Sequence, residues 1–339
     1  MTKKEKPFLD YHDRINKLKI EYGMEISDKN SAIEILNTIP YHDLINGYKD
    51  IFMNKDRFLE KLNLRDLFLF VVHDKDFKNI LLKYSLYVEN IFKNKLAYIL
   101  SKNYGINPND YLNAKNFIKY KSNKTEKIKA LKETLHRIKI DLKENKEEII
   151  EHYRDSYSYI PPWIAIKIMT FNTSINLYRI LKHKDKMEIY KEYNLFYNHD
   201  ENTLGSIINM MHIIRKFRNK IAHNHKTANY RIVSYKINKN NVVNLKFKDI
   251  LISEEDIQKK IGTDDIYSMI LSIIVLLNND VLISKFIHEL FSFFQSKPSI
   301  QFDYIKKINL PLNVIERFKT FTSFIDYETS VGIWENFDY

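Results

Sequence analysis

The run Thr203-Leu204-Gly205-Ser206-Ile207-Ile208-Asn209-Met210-Met211-His212-Ile213-Ile214-Arg215-Lys216-Phe217-Arg218-Asn219-Lys220-Ile221-Ala222-His223-Asn224-His225 carries a structural and a chemical reading. Leu204, Ile207, Ile208, Met211, Ile214, Phe217 and Ile221 recur every three or four residues, the period that sets apolar side chains on one face of an α-helix. Thr203 stands where such a helix would take its N-cap. The polar face ends in Arg218-Asn219-x-x-x-His223. Imidazole exchanges protons near neutral pH, whereas guanidinium stays charged and can hold a phosphate oxygen, so this set suits RNA cleavage without a metal. Arg215, Asn219 and His223 follow at successive i, i+4 steps, while Arg218 lies roughly 140° round the helix from His223. The spacing permits the chemistry without deciding it. In a chain with 54 Lys plus Arg and 11 His, such pairs also arise by chance.

Helical stripes recur upstream. Asp76 is the expected N-cap of a helix carrying Phe77, Leu81, Tyr84, Val88 and Ile91, which Gly105 stops. Ile128, Leu131, Leu135, Ile138 and Leu142 mark a second helix on a heavily charged segment. Pro161-Pro162 open a third, expected to run through Leu181, and the motif helix is the fourth. Six glycines and seven prolines leave little turn material for a many-stranded protein, so the expected fold is all-α. Its parts are an N-terminal helical region (1–73), a helical core (74–230) and a C-terminal region (231–339). In the last, Ile232, Ser234 and Lys236, then Val243, Leu245 and Phe247, alternate around Asn238-Lys239-Asn240-Asn241, the pattern of a β-hairpin. Its Lys236, Lys239, Lys246 and Lys248 read as charges blunting an exposed edge or as contacts to RNA or a second copy. Two buried helices are expected between Asp264 and Phe294.

With no cysteine, disulfides, cysteine-ligated zinc and thiol catalysis are excluded, and a reducing, cytoplasmic setting is expected. The start, MTKKEKPFLDYHDR, is charged where a signal peptide needs an apolar run. Ile266 to Leu277 is too short for the ~20 residues of a membrane helix. No Gly-rich phosphate loop, H-E-x-x-H helix or EF-hand loop occurs. His223-Asn224-His225 spells H-N-H only by coincidence of letters, and the near repeat of Tyr11-His12-Asp13-Arg14-Ile15-Asn16 in Tyr41-His42-Asp43-Leu44-Ile45-Asn46 makes no solenoid. The net charge of +11 suits a polyanion partner. Arg215, Lys216, Arg218, Lys220 and Lys226 gather at the motif, as an RNA cleft would require.

Five pieces of sequence stand in order over roughly residues 6 to 230: Lys6-Pro7-Phe8-Leu9; Ile39-Pro40-Tyr41-His42 through Gly47-Tyr48; His152-Tyr153; Pro161-Pro162-Trp163-Ile164 with Met169-Thr170-Phe171; and Arg218-Asn219-Lys220-Ile221-Ala222-His223-Asn224. Together they resemble the Abi-like proteins of bacterial abortive infection (the AbiD/AbiF branch), within the HEPN ribonuclease superfamily. Two departures stand out. The stretch Asn224-His225-Lys226-Thr227-Ala228-Asn229-Tyr230-Arg231 lacks the family's tryptophan, although Asn229 and Arg231 fit, and Trp163 directly follows Pro162. Trp334 echoes the family's closing tryptophan.

The resemblance implies a HEPN-like helical bundle and a homodimer whose motif helices share one cleft. It also implies endoribonuclease chemistry without metal or other cofactor, with Arg218, Asn219 and His223 as catalytic residues. Arg215, Lys216, Lys220, Asn224, His225, Lys226 and Arg231 are the expected RNA contacts, the RNA being substrate or a small non-coding inhibitor; no membrane partner is expected. The alternative it implies is a module that holds a structured small RNA with little or no cleavage. A transcription regulator is a third reading, for which no convincing recognition helix appears.

Overall fold

The computed structural model describes residues 7–118, 125–296 and 304–330; Lys6 and Trp334 lie outside them. Two short helices, α1 (Tyr11–Ile20) and α2 (Lys29–Thr38), begin where the side chains of Asp10 and Asp28 accept bonds from first-turn N–H groups. After them the chain makes a π-helical turn, His42–Asn46, closed by the Gly47 N–H on the His42 carbonyl at 2.9 Å. A Cβ on Gly47 would lie 2.3 Å from the Asp43 carbonyl oxygen, so the turn admits only glycine there. The following Tyr48 is thereby set into the core.

A small antiparallel hairpin, β1 (Met53–Asn54) with β2 (Arg57–Phe58), leads to α3 (Leu64–Tyr104), 41 residues long. Asn63 caps α3 and Gly105, at φ 84°, ends it. Asp76 therefore lies inside the helix and caps nothing. The run Leu64 to Val71 carries the apolar face more than three turns upstream of the expected start. Phe77, Leu81, Tyr84 and Val88 are buried as their spacing predicts, and Ile91 is half-buried.

The chain continues through α4 (Thr125–Glu144), α5 (Glu148–Tyr157), α6 (Pro162–Ile168) and α7 (Phe171–Ile180). On α4, Leu135, Ile138 and Leu142 are buried and Leu131 is half-buried; the side chain of Ile128 lies outside the described residues. The single helix expected from Pro162 to Leu181 is broken at Met169 and Thr170, because the Thr170 hydroxyl accepts from the Thr173 N–H and starts a new helix. Next come α8 (His183–Lys191) and the motif helix α9 (Glu201–Ala222). Its N-cap is Asp200, not Thr203. Thr203 is buried in the first turn, donating its N–H to Asp200 Oδ1 at 2.9 Å and accepting from the Tyr190 hydroxyl at 2.5 Å.

Residues 231 to 248 form no strands. The Ile232 and Ile237 N–H groups bond to the Asp264 and Thr263 carbonyls, and Asn238 with Asn241 makes a capping box that turns Lys239–Val243 into a short helix. Local Asn chemistry thus overrides the alternation. Lys236, Lys239 and Lys248 pair with Asp264 and Glu254. Two further helices, α10 (Ile266–Leu277) and α11 (Asp280–Gln295), stand where they were expected, before α12 (Val314–Ser330). All twelve residues of α10 are buried, and α10 packs on both α9 and α3, which also pack on each other. Among the described residues no helix is long and apolar enough to cross a membrane.

One buried carboxylate fastens Tyr48, ahead of α3, and Tyr304, ahead of α12, to α3. Asp74 accepts from the hydroxyls of Tyr48 at 2.6 Å and Tyr304 at 2.9 Å and ion-pairs with Lys78 at 2.8 Å. Burial raises the pKa of both tyrosines far above the usual range, so both remain donors.

Candidate functional site at the end of the motif helix

The apolar stripe of α9 is buried as expected, with Ile207, Met211, Ile214 and Phe217 fully enclosed, so the polar residues are forced to the other faces. The helix ends at His223, whose N–H bonds to the Asn219 carbonyl at 3.2 Å. Asn224 adopts a left-handed conformation, φ 56°, which asparagine tolerates better than most residues, and the His225 N–H closes on the Lys220 carbonyl at 2.8 Å. This turn leaves His223, Asn224 and His225 exposed, the two imidazoles 6.2 Å apart. Asn219, one turn back, is exposed as well. Neither the Asn219 amide nor the His223 ring has a protein hydrogen-bond partner among the described residues, so both are available to a ligand.

Arg218 faces elsewhere. Its Nη1 lies 2.6 Å from Glu89 Oε2 on α3, as an ion pair rather than an aligned hydrogen bond. The other oxygen of Glu89 is 2.8 Å from Lys93, and Lys93 donates to the Met169 carbonyl at 2.5 Å. A buried carboxylate is thus held between two cations, joining the motif helix, α3 and the end of α6. Sequence reasoning passed over Glu89 and Lys93. Their signal was an acid and a base four residues apart on the face of α3 that is otherwise apolar, a pattern that Asp74 and Lys78 repeat.

The expected RNA contacts divide. Lys226 is ion-paired with Asp50, and Arg231 contacts Asp264 at 2.6 Å and donates to the Lys260 carbonyl at 2.5 Å. Lys220 lies 4.1 Å over the Tyr230 ring. Lys216 is exposed, and Arg215 is half-buried with its Nε unpartnered. One turn before them His212 is buried and stacked on Tyr235 at 3.9 Å, with no partner on either ring nitrogen. Burial, with Arg215, Arg179 and Lys216 nearby, lowers its pKa to about 3, so it stays neutral. Among the described residues no group of three or more His, Asp or Glu could hold a metal ion. A cavity of about 1210 Å³ opens between the two Tyr-His-Asp copies, lined by Tyr11, Arg14, Tyr41 and His42, and includes none of the motif residues.

Comparison with known families gives one match: residues 34–229, more than half of the chain, fit the family model described as Abi-like protein. No curated protein and no solved structure matches. The matched span begins in α2 and ends just beyond the motif turn, so it contains Gly47, Glu89, Lys93 and the Arg218 to His223 element.

Proposed function

This chain belongs to the Abi-like protein family, and from that premise we propose that it is a HEPN-type endoribonuclease of abortive-infection phage defence that cuts RNA without a metal. Family membership points to the defence role; the chemistry is read from the helix end. The observation that carries it is the last turn of α9, where Asn219 and His223 are exposed and have no hydrogen-bond partner among the described residues, with Arg218 on the adjoining face.

In the reaction, a ribose 2′-hydroxyl attacks the adjacent phosphorus as His223 takes its proton. The bond from phosphorus to the 5′-oxygen breaks, that oxygen takes a proton from water, the products end in a 2′,3′-cyclic phosphate and a 5′-hydroxyl, and His223 returns its proton to solvent. Arg218 offsets the charge of the phosphorane, and Asn219 orients His223 or the scissile phosphate. Arg218 and His223 leave the helix roughly 140° apart, which favours a cleft completed by a second copy, with Arg218 of one protomer serving His223 of the other.

The test is cleavage of end-labelled RNA by purified protein in EDTA. Wild type should leave cyclic phosphate ends and His223→Ala should leave RNA intact; equal cutting by both would remove His223 from the mechanism, and loss of cutting in EDTA would require a metal. The engagement of Arg218 by Glu89 favours a second reading, a protein that holds a structured RNA. Under that reading the wild type protects bound RNA and does not cut it.

A further inference from the structure

The stripe of α9 that ends at His223 begins at Ile208. Positions 208, 212, 215, 219 and 223 fall within about 80° of one another and span roughly 22 Å of helix. At its far end Ile208 forms part of the wall of a cleft of about 490 Å³ between α4 and α7. Asn172, Asn176 and Arg179 reach into this cleft from α7 at spacings of four and three, one face of that helix, and Thr134 and Arg137 meet them from α4. The cleft shares Ile118 and Lys186 with a neighbouring one of about 500 Å³ that adds Lys115 and Lys182. Five cations therefore line the two together, against one carboxylate, Glu133. Among the described residues Arg137 pairs only along its own helix, with Asp141, and remains largely exposed, and Arg179 has no ion pair. The side-chain amides of Asn172 and Asn176 have no hydrogen-bond partner among the described residues either.

We infer that this cleft is a second RNA site, which holds a single strand of a few nucleotides and passes it over the exposed Arg179 and Lys216 toward His223, beside the part of the stripe where Tyr235 covers His212; the inference rests on the ribonuclease reading and gives its substrate a path. The cations match backbone phosphates, and the free amides match base edges, which only an unpaired strand exposes fully. A gap between two packed helices is too narrow for a duplex. The path also accounts for the motif's own cations. Lys226 and Arg231 are engaged by acids, so Arg215 on the stripe and the exposed Lys216 next to it, with Arg179 nearby, supply the positive charge that continues from cleft to motif.

The experiment is fluorescence anisotropy with the full chain in a His223→Ala background, which keeps the RNA whole. The probes are a labelled mixed-sequence single-stranded RNA and the same RNA annealed to its complement. The single strand should bind more tightly than the duplex. Adding Arg137→Gln and Arg179→Gln should weaken single-strand binding about tenfold and flatten its log-log salt slope by about 1.4, the share of two phosphate contacts on a single strand. Both arginines are exposed, so the melting temperature should not move. Ultraviolet crosslinking of 4-thiouridine RNA to the chain with native arginines should label peptides covering residues 172–186. Unchanged affinity and slope in the double variant, with crosslinks elsewhere, would overturn the cleft and leave the ribonuclease reading standing. Equal affinity for duplex would overturn the single-strand assignment, and no RNA binding by His223→Ala would overturn the cleft together with the reading beneath it.

Discussion

His212 shows how one residue sets a pH limit on this fold. It is buried against Tyr235 with both ring nitrogens unpartnered, and its pKa falls from 6.5 to about 3. The unfolded chain then binds a proton between pH 6.5 and 3 that the folded chain refuses, so stability is lost as pH falls below about 6.5. At pH 5.5 this costs about 1.4 kcal/mol. Asp265 acts in the opposite sense. Burial raises its pKa to about 6, so the folded chain gains a proton on acidification before the unfolded chain does. His212→Phe keeps the stack and the Asp265 titration and removes only the imidazole. Urea unfolding should therefore show the stability difference between variant and wild type widening by about 1.4 kcal/mol from pH 7.5 to 5.5, in the variant's favour. A difference that stays constant over that range would mean that water or a shift of the ring satisfies the imidazolium.

Among the elements, the bond that matters most for the motif joins helices. Glu89 holds Arg218 of the motif helix, and its partner Lys93 holds the Met169 carbonyl in the break between α6 and α7. Glu89→Ala leaves two cations facing each other near the core and should destabilise the chain by about 3–5 kcal/mol, the usual cost of breaking a buried pair by removing one partner. Unfolding in urea measures this, and a loss below about 1 kcal/mol would mean that the two cations find solvent at little cost. For the same reason Arg218→Ala is not a clean probe of chemistry. Arg218→Lys, which preserves the charge against Glu89, is the better one. The helices were legible because burial imposes a 3.6-residue period on sequence, and α9 and α10 lie where that period put them. Misreadings fell where short polar side chains decide boundaries. Thr170 splits one apparent helix, Asp200 displaces Thr203 as cap, and Asn238 with Asn241 makes a helix of an apparent hairpin. The hairpin that does form, Met53 to Phe58, has Lys55 at positive φ, a turn without the Gly or Asn that would announce it.

At the scale of the whole molecule, the motif could be read from sequence, whereas its electrostatic setting could not. Glu89 lies far from Arg218 along the chain, and so do Asp50 from Lys226 and Asp264 from Arg231; ion pairs made by tertiary folding leave no local spacing to recognise. Arg218 is committed toward α3 and His223 points into solvent, the arrangement from which a site shared between two copies is proposed. If Arg218 of one protomer serves His223 of the other, two inactive variants should complement each other. Arg218→Lys retains His223, His223→Ala retains Arg218, and a mixed dimer holds one intact pairing across its interface. Refolding the two together at equal amounts makes half of the dimers mixed, each with one working pairing of two, and should restore about a quarter of wild-type cleavage. Each variant alone should stay inactive, and light scattering should show dimers throughout. Mixed dimers without activity would place Arg218 and His223 of the working site on the same chain, and a strict monomer that nonetheless cuts RNA would dismiss the shared cleft altogether. Growth gives the cellular counterpart: expression of both variants together should slow cells that tolerate either one alone, and an absence of toxicity from the pair, at expression levels where wild type arrests growth, would count against trans pairing in the cell.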